Sequence, residues 1–131
     1  MINNQIIAII LYNEFIEDGI EFFSPGDFSQ QLGYMNRKKG DIIQEHKHVL
    51  HIREIKFTQE TLFIKKGRVK VNFFDENGIF FTNRELKTGD VILLASGGHG
   101  FEFIEDTEMI EVKQGPYAGD KDKVRFNGAN K

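Results

Sequence analysis

The chain has 131 residues with a formal net charge of -3 and a pI near 5.8, which fits one domain spanning residues 1–131. It contains no cysteine, so disulfides, thiolate zinc sites and thiol nucleophiles are excluded. The slightly acidic balance supplies no general attraction for phosphate backbones, and we expect no nucleic-acid partner.

The predicted elements are short strands separated by turn-forming residues, which is typical of an all-β fold. The first apolar run, residues 6–11, is rich in β-branched residues and too short to cross a bilayer or serve as a signal core. It therefore predicts a buried strand, no membrane contact and a cytoplasmic location. The predicted strands are residues 6–11, 20–23, 31–35, 41–44, 49–57, 61–65, 69–74, 79–81, 91–94, 101–104 and 109–113.

Two positions along this series carry further expectations. Asn77-Gly78 predicts a hairpin, because both residues tolerate the positive φ that a tight turn requires. Residues 114–131 are polar, and we expect them to form a C-terminal arm on the surface.

His46 and His48 suggest a metal site, which is the most specific chemical hypothesis that the sequence offers. Side chains two apart on a strand share one face, with Cα atoms about 6.5 Å apart. Two such imidazoles can share a divalent ion, since each needs about 2.0–2.1 Å from ring nitrogen to metal. If both face inward, Leu50 and Ile52 follow on the same face as an apolar lining, whereas His51 points outward.

The same alternation brings two further residues toward this interior. Glu60 precedes the apolar face of the next predicted strand. His99 alternates with Phe101 and Phe103 on an inward face, while Glu102 points outward. Three histidines and one glutamate are therefore expected to converge.

These residues resemble the first motif of the cupin family, which reads Gly, five residues, His-x-His, three or four residues, Glu, six residues, Gly. Gly40-x5-His46-x-His48 matches the opening, and Glu60-x6-Gly67 matches the close. Eleven residues separate the two parts, which indicates a longer hairpin. Glu54 lies nearer the family spacing but has no glycine seven residues later, so we prefer Glu60.

The second cupin motif reads Gly, five residues, Pro-x-Gly, two residues, His, three residues, Asn, and the run from Gly89 to His99 resembles it with differences. Alanine stands at position 95 in place of proline, one residue fewer precedes the histidine, and Phe103 stands where asparagine is expected. His99 is consequently a less secure match than His46 or His48.

The resemblance covers about residues 33–113 and implies a double-stranded β-helix, that is, a jelly-roll or cupin barrel. It also implies a metal site formed by His46, His48, Glu60 and His99. Such a donor set suits Mn, Fe, Ni or Zn and does not select among them. The catalytic residues are left unassigned.

The stretch 111–117 followed by residues 122–126 is similar to the tail of small cupins from surface-polysaccharide and nucleotide-sugar pathways. This implies a small polar metabolite, such as a sugar or nucleotide-sugar, as the ligand, with isomerase- or epimerase-like or other metal-assisted chemistry. Two alternatives stay open: a non-catalytic binding or sensing module, and a metal-free isomerase that uses a histidine as general base.

We expect a homodimer, because exposed edge strands tend to pair with another chain. Jelly-roll domains of this size leave long edge strands, and pairing across a two-fold axis covers their unpaired backbone groups. Residues 6–11 are the candidate swapped or edge-pairing strand.

Overall fold

The computed structural model describes residues 1–2 and 4–128 and is all-β, apart from a short 3-10 helix at Gly119–Asp122. Its described residues include no helix with the length and apolar character that a bilayer span requires. The strands are β1 Ala8–Leu11, β2 Gly19–Phe22, β3 Gly33–Asn36, β4 Glu60–Lys66, β5 Arg68–Phe74, β6 Phe80–Lys87, β7 Val91–Leu94, β8 Gly98–Phe103 and β9 Glu108–Lys113.

The strands form three antiparallel sheets. One has the order β1-β7-β4-β9, the second β6-β5-β8, and the third is the hairpin β2-β3. The all-β class is thereby confirmed. The described residues form separate sheets and not a closed barrel, because β8 and β9 each remain at the edge of a sheet.

One hydrophobic core lies between the two larger sheets. Both contribute residues to the same buried cluster, including Leu62 and Ile64 from β4 and Val69, Val71 and Phe73 from β5. These residues alternate along their strands, as a half-buried sheet requires. The predicted apolar face of β4 is confirmed.

The turn between β5 and β6 differs in detail from its prediction. Gly78 has φ 78°, but Asn77 is not among the residues with positive φ. The Asp75 carboxylate accepts hydrogen bonds from the backbone N–H groups of Asn77 and Ile79. These two hydrogen bonds stabilise the turn, in which Asn77 is not left-handed. The predicted hairpin is confirmed, and of the pair Asn77-Gly78 it is the glycine that adopts a positive φ.

The main correction concerns residues 41–57, which we call the histidine segment. The predicted strands 41–44 and 49–57 do not form, and every residue of the segment is exposed. Leu50 is 97% exposed and Ile52 91% exposed, so the expected apolar lining is absent from the single chain. A strand needs a neighbouring edge for its N–H and C=O groups, and residues 42–57 form no backbone–backbone hydrogen bond within the described chain.

Candidate functional site

A cavity of about 840 Å³ opens at one end of the core, between the two larger sheets and the C-terminal arm. Strands β4, β5, β8 and β9 supply its walls, and residues 122–126 and 128 of the arm complete its rim. The side chains that give it chemical character are Glu60, Phe74, Glu76, His99, Phe101, Glu111, Lys113, Asp122, Lys123, Arg125 and Phe126.

Glu60 and His99 meet inside this cavity from opposite sheets. Register pairs His99 with Phe73, whose side chain is in the core, so the imidazole shares the inward face of β8. Glu60 lies two residues before buried Leu62 on β4 and shares its face. His99 Nε2 lies 2.9 Å from Glu60 Oε1, with side chains 30% and 18% exposed.

Strand β9 adds a second carboxyl group and an ammonium group on the same face. Register pairs Lys113 with Glu60 and Glu111 with Leu62, which places both β9 side chains beside the Glu60–His99 contact. Lys113 Nζ lies 4.0 Å from Glu111 Oε1.

The two carboxyl groups have opposite pKa shifts. The hydrogen bond with His99 lowers the pKa of Glu60, the contact with Glu111 acts in the same direction, and burial opposes both. The hydrogen bond with Glu60 raises the pKa of Glu111, and burial raises it further. Glu60 is therefore the anion of the pair, and Glu111 is the group that holds a proton more readily.

A histidine hydrogen-bonded to a carboxylate is held in one orientation and one tautomer, which suits it to proton transfer. The His99 ring also packs edge-on against Phe101, with centroids 5.8 Å apart. Imidazole and carboxylate groups are in addition ligands for borderline divalent ions.

The C-terminal arm closes part of the cavity mouth. The Phe126 ring packs edge-on against Phe74 with centroids 5.3 Å apart, and the Thr58 hydroxyl donates a hydrogen bond to the Asp122 carboxylate. Arg125 lines the cavity beside Phe126. Residues 129–131 of the predicted arm lie outside the described residues.

Sequence reasoning missed most of these lining residues. Glu111 and Lys113 fell on a predicted strand, and their two-residue spacing already placed them on one face. Arg125 and Phe126 carried no such pattern, because their position depends on the path of the arm across the end of the sheets.

His46 and His48 are not part of this cavity. Their rings pack against each other with centroids 5.6 Å apart, and His46 Nδ1 lies 2.9 Å from the Gln44 carbonyl oxygen. Both are exposed on the histidine segment, as are His51, as expected, and Glu54.

The structure thus brings together two of the four predicted ligands, Glu60 and His99, and leaves His46 and His48 apart from them. Within residues 1–2 and 4–128 no three His, Asp or Glu side chains are arranged to hold a metal ion. The described part of one chain therefore does not bring the four predicted ligands into one group.

Comparison with protein-family models, with curated proteins and with solved structures finds no match for this chain.

Proposed function

We propose that the protein binds a small polar metabolite in the cavity around Glu60 and His99, and that His99 transfers a proton on that metabolite. The observation that carries the proposal is the 2.9 Å contact between His99 Nε2 and Glu60 Oε1 at the wall of an 840 Å³ cavity. Ligand pockets are typically about 300–1,000 Å³ and combine apolar walls with a few polar groups.

The lining combines charged groups of both signs with aromatic side chains, which suits a polar metabolite with a flat or cyclic apolar part. Lys113 and Arg125 supply positive charge, and guanidinium groups suit phosphate and carboxylate oxygens. Phe74, Phe101 and Phe126 supply aromatic surface. A sugar phosphate or nucleotide-sugar has this combination of groups, which is the ligand class that we propose.

The reaction that fits these groups is an isomerisation or epimerisation through proton transfer next to a carbonyl group. In it, His99 removes a proton from the carbon beside the carbonyl and returns it to the same or a neighbouring atom. Glu60 keeps the imidazole in place and stabilises its protonated form. Glu111, with its raised pKa, is the group suited to donate a hydrogen bond to a developing oxyanion.

We propose a jelly-roll of the cupin type as the fold that carries this site. Support comes from two facing antiparallel sheets, with the orders β1-β7-β4-β9 and β6-β5-β8, and from a ligand cavity between them at one end.

Deuterium exchange tests the reaction. The protein is incubated in D2O with a panel of nucleotide-sugars and sugar phosphates that carry a carbonyl group, and incorporation at the neighbouring carbon is followed by proton NMR. We expect incorporation with the wild type and a loss of about 10²-fold or more in His99→Ala, the usual contribution of a general base. His51→Ala, which changes an exposed histidine outside the cavity, is the matched control.

Ligand-induced shifts of protein resonances are recorded on the same samples. Binding without exchange would support the alternative of a non-catalytic binding module. Absence of binding across the whole panel would overturn the proposed function.

A further inference from the structure

We propose that residues 122–128 of the C-terminal arm, which we call the strap, open to admit a ligand to the Glu60–His99 cavity and close over it once it is bound. This inference deepens the proposed function and rests on its cavity. It starts from the contacts at the two ends of the strap, because these contacts join it to opposite sheets.

The strap crosses the cavity mouth from one larger sheet to the other. At its start, the Asp122 carboxylate accepts a hydrogen bond from the hydroxyl of Thr58, just before β4. Further along, the Phe126 ring packs against Phe74, the last residue of β5. Four residues of extended chain reach about 13 Å, which is enough to cross the roughly 10 Å between stacked sheets. Residues 123–125, between these two contacts, line the cavity.

The Phe126 ring lies on two residues that have no side chain. A Cβ atom at Gly98 would be 2.6 Å from Phe126 Cζ, and one at Gly78 would be 3.1 Å from Phe126 Cδ2. Gly78 has φ 78°, so the turn that contains it also favours glycine. Gly98 lies on β8 and is not among the glycines with positive φ. The missing side chain at Gly98 therefore makes room for the ring and is not needed for the backbone conformation.

The strap is attached in a way that allows it to open while the core stays folded. Residues 123–128 form no backbone–backbone hydrogen bond with another described residue. Phe126 is 47% exposed and Val124 87% exposed, so opening transfers little apolar surface to water. Segments with few buried apolar contacts and no backbone pairing open at a much smaller free-energy cost than global unfolding.

Closure of the strap affects the groups that carry the proposed reaction. With the strap in place, the side chains of His99 and Glu60 are 30% and 18% exposed. Exclusion of water from an active site strengthens the electrostatic interactions inside it, and the contact between these two residues is such an interaction. Closed segments must open again before a product can leave, so opening of the strap is expected to limit ligand exchange.

Chemical modification of His99 tests the strap without any ligand. Carbethoxylation by diethyl pyrocarbonate is followed by peptide mass spectrometry, with exposed His51 as the internal reference. In Gly98→Ala the added methyl group displaces the Phe126 ring, and we expect His99 to react at least about threefold faster because the open form is more populated. Gly100→Ala is the matched control, since a Cβ atom at this other β8 glycine meets no atom within 4 Å, and it should leave the rate unchanged.

Phe126→Ala repeats this test from the other side of the contact. It removes the ring and leaves β8 unchanged, so it decides the outcome even if Gly98→Ala does not fold. We expect the same faster modification of His99, with an unchanged rate at His51. A rate at His99 equal to that of the wild type in Phe126→Ala would overturn the inference.

Dissociation rates test whether the strap closes over a bound molecule. The probes are those nucleotide-sugars and sugar phosphates of the panel that shift resonances of the wild type, and their dissociation is measured by NMR exchange spectroscopy. We expect the dissociation rate to rise at least about tenfold in Gly98→Ala, because release no longer waits for the strap to open, and to stay unchanged in Gly100→Ala. Equal dissociation rates in the wild type and Gly98→Ala would overturn closure over the ligand.

The two proposals fail separately. Faster modification of His99 in Gly98→Ala and Phe126→Ala, without binding of any nucleotide-sugar or sugar phosphate, supports an opening strap and overturns the proposed function. Binding with equal modification and dissociation rates in all of these chains overturns the strap, and deuterium exchange still decides the proposed reaction.

Discussion

At the scale of single residues, the cavity is defined by an unequal pair of carboxyl groups. Glu60 is the more buried of the two and is hydrogen-bonded to His99, whereas the Glu111 side chain is 46% exposed and borders Lys113. Two carboxyl groups in close contact cannot both ionise without a cost in free energy, so the environment of each group decides which one remains charged. As the pH rises, Glu60 therefore loses its proton before Glu111 does.

Glu111→Gln tests this assignment through the free energy of unfolding. Because the folded-state pKa of Glu111 is raised, the folded chain holds this proton more tightly than the unfolded chain. The resulting stabilisation is present at low pH and is lost as the pH rises through the raised pKa. We expect Glu111→Gln to be more stable than the wild type at pH 7, by no more than about 1 kcal/mol since the group is half exposed, and equal to it near pH 3.

The measurement is urea unfolding in EDTA across this pH range. Glu108→Gln is the matched control, because Glu108 is an exposed carboxylate on the same strand but outside the cavity lining. A stability difference that stays constant from pH 3 to pH 7 would contradict the assigned roles of the two carboxyl groups.

At the scale of elements, strands with an intrachain partner were predicted well and the histidine segment was not. Nine of the eleven predicted strands are present. Apolar residues at every second position indicate a strand that is buried on one face against the rest of the same chain. β6 extends to Lys87, well beyond its predicted end, because pairing with β5 carries it through polar residues. The histidine segment has the same local pattern, but the local pattern does not show which edge its backbone can join.

The candidate site divides in the same way. The predicted inward positions of Glu60 and His99 follow from alternation on strands that exist, and their contact is present. The convergence of His46 and His48 on them depended on a strand that the single chain does not form. A contact between distant elements depends on the whole fold or on a partner, and neither is encoded in local spacing.

Leu50→Lys/Ile52→Lys tests the role of the segment as an element. Both side chains are over 90% exposed in the single chain, so the double substitution should leave its fold and thermal midpoint unchanged. In a dimer that covers the segment, the same positions are buried, and charged groups there carry a desolvation cost. We expect the dimer dissociation constant to rise by at least tenfold in sedimentation velocity, whereas Ile16→Lys, at an equally apolar exposed position, leaves it unchanged. Equal dimer affinity in both variants would show that the segment is not buried between copies.

At the scale of the whole molecule, the chain combines a buried core with the exposed histidine segment. The core between the two larger sheets contains side chains with no exposed surface, including Ile64, Val71 and Leu86. The histidine segment leaves this body between β3 and β4 and exposes apolar side chains to water. Monomeric proteins rarely present large continuous apolar surface. We therefore expect the protein to form an assembly in which the histidine segment is covered.

Hydrogen exchange measured against protein concentration tests this view of the assembly. Amides of residues 42–57 have no backbone acceptor in the single chain, so in dilute protein they should exchange almost as fast as in an unfolded peptide. Above the dimer dissociation constant, pairing with an edge strand of a second copy should slow alternate amides by at least about tenfold, because only every second N–H of an added edge strand points at its neighbour. Amides of β5, which is paired on both sides, provide the internal reference and should be protected at every concentration. If protection of the histidine segment from exchange does not change with dilution, the segment instead pairs with its own chain.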